Sequence, residues 1–212
     1  MNIGSLDFKT ICIIVSGLIA VALLITVITA SRMKFTTHAV AVLGMLTALY
    51  VVLSFVGTIN LYGYKITVDS FPIILASILF GPIGGAIVGL LGSFLNQLIS
   101  YGLTPTTVLW MLPAIVRGLM VGWYGKYRNI AENRLDLGFI LIASSLVVTA
   151  INTGVMYLDS VIYHYYTFAY VFGGIFIRVG LGALTAIVMT LIAPPVVKAL
   201  MGTLKNEQGK MQ

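Results

Sequence analysis

Six polar side chains are spaced through one of the most apolar stretches of the chain. Between Tyr64 and Gly125 lie Lys65, Asp69, Asn96, Gln97, Trp110 and Arg117, in a run otherwise rich in Ile, Leu, Val, Phe, Gly and Pro. Polar groups are costly in hydrocarbon, so a set of them marks an internal site rather than a lipid-facing surface. The chemistry such a set offers is binding. Tyr64 and Trp110 can stack on a flat ligand, and Asn96 and Gln97 can donate and accept hydrogen bonds. Lys65 can meet a ligand, or pair locally with Asp69 four residues on. Arg117 can snorkel to a membrane surface or face a partner subunit.

A second set lies near the C-terminus, in AINTGVMYLDSVIYHYYTFAYVFGG. It holds Asn152, Tyr157, Asp159, Tyr163, His164, Tyr165, Tyr166 and Tyr170, the densest aromatic cluster in the sequence. It reads as a stacking platform or lid over a planar ligand, or as an aromatic belt at the headgroups. His164 has no neighbouring His or Cys, so the cluster is a poor metal site. Arg178 follows Phe168 by about 15 Å of helix, which places it near mid-membrane. There it needs a carboxylate, a carbonyl network or an anionic ligand.

The elements that must position these residues are membrane helices. Of 212 residues, 59% are hydrophobic and 8% charged, and the mean hydropathy is +1.07. A soluble domain carries roughly 25% charged residues. Six acidic residues and two histidines, scattered, supply no constellation for acid–base or metal catalysis. The single cysteine, Cys12, allows no internal disulfide. The net charge of +6 sits mostly between apolar segments, so it reads as an orientation signal and not as a nucleic-acid surface.

Spans of about 20 apolar residues are expected at 11–30, 37–56, 83–101, 106–124, 137–157 and 168–193. A shorter segment at 69–80 is interrupted by Pro72, and the last span is closed by Pro194-Pro195. The expected architecture is an all-α membrane protein, a six-helix core (35–204) with one extra N-terminal transmembrane helix (1–34) and a cytoplasmic tail (205–212). Arg32, Lys34, Lys126, Arg128, Arg134, Lys198, Lys205 and Lys210 then fall on one side, and only Lys9 and Lys65 on the other. The positive-inside rule puts the first group, and the C-terminus, in the cytoplasm. Gly85, Gly89 and Gly92 share one side of a helix and suit close packing. Ala39, Ala41, Gly44 and Ala48 form a small-residue stripe fit to touch another membrane protein. No phosphate-binding loop is present, so any ATP hydrolysis belongs to other chains.

The segment YKITVDSFPIILASILFGPIGGAIVGLLGSFLNQLISYG and the stripe AVAVLGMLTA carry a family resemblance. An outer loop leads into a short Pro-containing helix, a Phe-Gly-Pro turn and a glycine-rich helix. In this the chain resembles the S component of an energy-coupling factor (ECF) vitamin transporter, over about residues 35–204, and most of all the folate branch. The resemblance implies a bacterial cell-membrane protein that binds a vitamin in an outward-facing cavity. The candidate substrate-binding residues, taken from the polar and aromatic positions above, are Tyr64, Lys65, Asn96, Gln97, Trp110, Asn152, Tyr157, His164, Tyr165 and Arg178. The resemblance implies docking, through Ala41, Gly44 and Ala48, on a transmembrane coupling subunit joined to two cytoplasmic ATPases. It implies no cofactor of the chain's own. The folate branch carries a Gly-x-x-x-Asp pattern where this chain has GLLGSFLNQ, with Ser93 and Asn96, so other vitamins stay open. A stand-alone secondary transporter, a channel or an assembly subunit is the alternative, although no inverted repeat is visible.

Overall fold

The computed structural model describes residues 36–61 and 64–210, with side chains described for 36–57 and 68–202. Five helical segments are long and apolar enough to cross a membrane: Thr37–Val56, Ser70–Tyr101, Thr107–Tyr127, Arg134–Ile162 and Phe168–Gly202. In chain order the elements are α1 (Thr37–Val56), β1 (Thr58–Leu61), β2 (Tyr64–Thr67), α2 (Ser70–Tyr101), α3 (Thr107–Tyr127), α4 (Arg134–Ile162), α5 (Phe168–Phe172) and α6 (Ile175–Lys210). The strands form one antiparallel hairpin, with Asn60 opposite Lys65 and Leu61 opposite Tyr64.

The expected count of six core helices plus one is not matched. The extra N-terminal helix lies outside the described residues. The segments expected at 69–80 and 83–101 fall within α2, which is broken at Gly81 (φ 72, ψ −165). That conformation is open almost only to glycine. The chain doubles back there. Ser77 Oγ, before the break, donates to Gly118 O at 3.1 Å, and a Cβ on Gly85, after it, would lie 2.9 Å from Gly118 Cα and O. Both arms of α2 therefore lie against α3. The first arm, 70–80, is only about 16 Å long at 1.5 Å per residue, so it reaches about half-way through the hydrocarbon. Pro72 does not interrupt it, because the third helical position has no intrahelical acceptor to lose.

Two further expectations are corrected. α6 runs through Pro194-Pro195 to Lys210 and does not stop there. Membrane helices tolerate such prolines because neighbouring groups re-satisfy the freed carbonyls. The last span breaks into α5 and α6 around Gly173, which leaves Arg178 in the first turn of α6 and not ten helical residues down.

Packing follows the small residues. Gly92 lies against the ring of Tyr50 on α1, Gly89 against the Ala114 backbone, and Gly122 against Pro82. Gly182 of α6 lies against Ser145 of α4. The main apolar core between α2, α3, α4 and α6 is Ile74, Val121, Leu137, Leu141, Ala186 and Met189. Large apolar side chains point outward, among them Phe176 at 87% and Leu135 at 84% exposure. In a membrane such a surface is solvated by lipid.

Candidate functional site

Where the short arm of α2 ends inside the bundle, it leaves room. A cavity of about 190 Å³ is lined by Tyr50, Asp69, Ser70, Ile73, Trp110, Pro113, Ala114, Arg117, Val148 and Asn152. Each helix supplies one face. Trp110, Pro113, Ala114 and Arg117 recur at the three- and four-residue spacing that makes a stripe on α3. Asp69 and Ile73, four apart, begin α2, and Val148 and Asn152, four apart, lie on α4. Pro113 cannot donate to the Leu109 carbonyl, so α3 is weakened beside the cavity.

The polar groups are concentrated around one cluster. Arg117 Nη1 donates to Ser70 Oγ, and Ser70 Oγ donates to Asp69 Oδ1 at 3.4 Å. Asp69 lies within electrostatic reach of Arg117 and of Tyr50. A cation and an anion at the same depth reduce each other's cost of leaving water. Tyr50, Trp110 and Asn152 add neutral donors and acceptors, and Ile73, Pro113, Ala114 and Val148 supply apolar wall. The arrangement can hold a small polar ligand in a partly dry space.

Asp159 ties the cavity to the aromatic cluster. It is buried at 8% exposure. Trp110 Nε1 donates to its Oδ1 at 3.4 Å, and the Tyr165 hydroxyl donates to Oδ2. Partial burial, then the Asp159 carboxylate, pushes the Tyr165 phenol above its ordinary value, so it remains a donor at neutral pH. Tyr157 and Tyr166 meet edge to face at 5.4 Å, as do Tyr165 and Tyr170. The connection from α4 to α5 is thus a layer of tyrosines pinned to the indole of Trp110 through one carboxylate.

Of the residues singled out by sequence, Trp110 and Asn152 line the cavity. Tyr157, at the end of α4, and His164 (φ 59) and Tyr165, in the connection after it, belong to the tyrosine layer. Asn96 and Gln97 lie in the last turns of α2 and are not among the lining residues, and Asn96 Oδ1 accepts from Ser100 Oγ at 3.4 Å. Tyr64 and Lys65 lie on β2, and their side chains are outside the described residues. Arg178 directs its guanidinium to Val171 O, Gly174 O and Met156 S. Ala41, Gly44 and Ala48 are all exposed on one side of α1, and a Cβ on Gly44 would meet nothing within 4 Å.

Four polar lining residues, Tyr50, Asp69, Ser70 and Arg117, were given other roles or none. Arg117 was read as snorkelling toward a surface or facing a partner subunit, but α3 runs on to Tyr127, which leaves Arg117 eleventh of 21 residues and facing the cavity. Asp69 was offered as a local partner of Lys65, whose side chain lies outside the described residues, and it also lines the cavity beside Arg117. Tyr50 and Ser70 passed as span residues. The spacing 110, 113, 114, 117 was the available signal for Arg117.

Comparison with known proteins gives a family. The family model described as "ECF-type riboflavin transporter, S component" matches residues 34–201. UPF0397 proteins of Streptococcus pneumoniae, from strain 70585 and strain CGSP14, are each 34% identical over 132 residues, covering 59% of this chain and 69% of the relative. The matched family name does not point to the folate branch.

Proposed function

The chain belongs to the ECF-type riboflavin transporter S-component family, and from that premise we propose that it captures a ring-bearing, water-soluble vitamin in the cavity around Arg117. A transporter S component is not an enzyme, and S components work with energy-coupling modules. The observation that carries the reading is a polar, tryptophan-walled cavity at mid-bundle, closed in by apolar helices. Riboflavin is the first ligand to try, since the family's name points to it. The cavity volume lies below the roughly 300–1,000 Å³ usual for drug-sized ligands. A bound riboflavin therefore requires the cavity to widen, whereas a single ring fits as the cavity stands.

In this reading the hairpin and the tyrosine layer face outward and the C-terminus is cytoplasmic, as the Lys and Arg distribution expects. The exposed stripe Ala41, Gly44 and Ala48 is the surface offered to a transmembrane coupling subunit. Two cytoplasmic ATPases supply the energy, and the chain needs no cofactor of its own. The test is to purify the protein from cells grown in rich medium and identify the bound small molecule, then titrate the emptied protein with riboflavin and other vitamins by tryptophan fluorescence. Micromolar or tighter binding of one ring vitamin supports the proposal. A protein that carries none, and binds none, refutes it.

A further inference from the structure

Away from the cavity, a groove of about 280 Å³ runs along the outside of the bundle between α4 and α6. Its floor is a close approach of the two helices: a Cβ on Gly138 would lie 3.5 Å from the Thr190 side chain. Thr190 Oγ1 donates to Ala186 O, so its proton is already placed. Leu135 and Phe139 form one rim, Ile187 and Leu191 the other, and all four are exposed. Arg134, the first residue of α4, stands at one end. Ile142 stands at the other, eight residues and about 12 Å of helix away.

That length is close to the hydrocarbon depth of one leaflet, about 15 Å. α4 begins beside the basic α3–α4 connection, which marks a membrane surface. Arg134 is exposed at headgroup depth, and the groove descends from it toward the bilayer centre. Lys198 is exposed as well, two turns past Leu191 on the same side of α6. α6 runs antiparallel to α4, with Gly182 against Ser145 and Thr190 against Gly138, so those two turns lead toward the same surface as Arg134. The acidic side chains of this end have donors of their own. Glu132 accepts from Asn129 Nδ2 at 2.9 Å, and Asp136 from Asn133 Nδ2 at 3.0 Å and from the Tyr124 hydroxyl at 3.4 Å.

We propose that this groove holds one anionic phospholipid, its phosphate at Arg134 and one acyl chain laid along the floor toward Ile142. The basic end matches an acidic headgroup, since each Lys or Arg near the surface adds to the attraction for acidic lipids. A partner helix fits poorly. Membrane helices meet through small residues that let backbones approach, whereas both rims here are large and Gly138 lies on the floor against Thr190. A flexible hydrocarbon chain can follow such a slot. Among the described residues none lines both this groove and the cavity around Arg117, so the proposal stands apart from vitamin capture.

The experiment uses the full-length protein, delipidated in neutral detergent and titrated with phosphatidylglycerol or phosphatidylcholine, with bound lipids counted by native mass spectrometry. The expected result is one retained phosphatidylglycerol, preferred over phosphatidylcholine by about fivefold, the worth of one cation at a membrane surface. Arg134→Gln is expected to keep a lipid and lose the preference. Gly138→Leu, whose Cβ meets Thr190 at ordinary contact distance, fills the groove and is expected to lose the lipid. Ile187→Trp, on the exposed rim, does the same and serves where Gly138→Leu does not fold. Arg128→Gln removes a basic residue of the same connection that is not among the groove's lining residues, and is expected to change nothing. No preference in the unaltered protein, equal losses in Arg128→Gln and Arg134→Gln, or a lipid retained by both groove-filling variants overturns the proposal. A photo-reactive amino acid at position 191, in nanodiscs of the two lipids, is expected to capture phosphatidylglycerol. Capture of residues 1–34 or of a second copy of the chain instead makes the occupant protein and overturns the proposal too.

Discussion

Gly118→Ala tests the crossing that builds the cavity. Gly118 sits where α3 passes both arms of α2. A Cβ there would lie 2.5 Å from Gly85 O and 2.7 Å from Ala86 N. These neighbours are backbone and cannot rotate away, so the helices must part by about 1 Å to reach ordinary contact. Overpacking of this kind costs about 1–3 kcal/mol. The Ser77–Gly118 hydrogen bond, 3.1 Å long, is stretched as well, a loss of about 1 kcal/mol. Replacing a helical glycine returns about 1 kcal/mol in propensity, which offsets the lost bond. The net expectation is therefore about 1–3 kcal/mol of destabilisation, and about 2–4 °C of melting temperature per kcal/mol for a chain of this size. Because Arg117 and Ala114 flank the crossing, ligand affinity should fall with stability. Gly44→Ala is the control: its Cβ meets nothing within 4 Å, so the melt should hold or rise slightly. The assay is thermal unfolding of both variants in the same detergent, with and without ligand. Gly118→Ala melting with the unaltered protein, or Gly44→Ala melting as low as Gly118→Ala, refutes the packing argument.

Gly81→Ala has open space for its Cβ, so its cost is backbone strain alone at φ 72, about 1–3 kcal/mol, visible as a lowered melt. Asp159→Asn removes the charged acceptor shared by Trp110 and Tyr165, so the tyrosine layer should loosen and bound ligand should leave several-fold faster in stopped-flow fluorescence, by about 1–2 kcal/mol of barrier; an unchanged release rate counts against a role as a latch. Gly44→Leu and Ala48→Leu should leave binding in nanodiscs unchanged and abolish uptake in cells that contain the coupling module. Uptake at the normal rate would mean that α1 does not carry the docking surface.

Helix positions were legible because they follow from apolar length. The 37–56 span and the start of the 106–124 span agree with α1 and α3 to within a residue. The break at Gly81 was legible too, since glycine before proline can take a backbone that other residues cannot. Which helix faces form the site was harder. Asp69 and Arg117 are 48 residues apart, and their meeting depends on the short α2 arm folding back along α3, a tertiary event with no local signature. Arg178 was open in the sequence between a carboxylate, a carbonyl network and an anionic ligand; the break at Gly173 exposes backbone carbonyls, and the guanidinium donates to two of them. Pro194-Pro195 misled because the rule that proline ends a helix belongs to water, where freed carbonyls are solvated at once.

The floor of the cavity bears on whether the chain is a passage or a trap. Beyond Arg117, toward the α3–α4 connection, the space narrows to a gap of about 10 Å³ bounded by Ile74, Leu141, Ser144, Ala186 and Met189. That is scarcely room for one water. The hydroxyls nearby do not make a wet path either. Ser144 returns its proton to Leu141 O, Ser145 to Ile142 O and Thr149 to Ser145 O, all within α4. Past the gap lie Val121, Ile130, Leu137 and Ala193, each 2% exposed or less. The cavity at Arg117 thus has close-packed hydrocarbon on one side, while Trp110 in its wall is tied to Asp159 and through it to Tyr165. The floor is held by glycine-mediated backbone approach along α3. A channel would need that floor to open, and its packing opposes the opening.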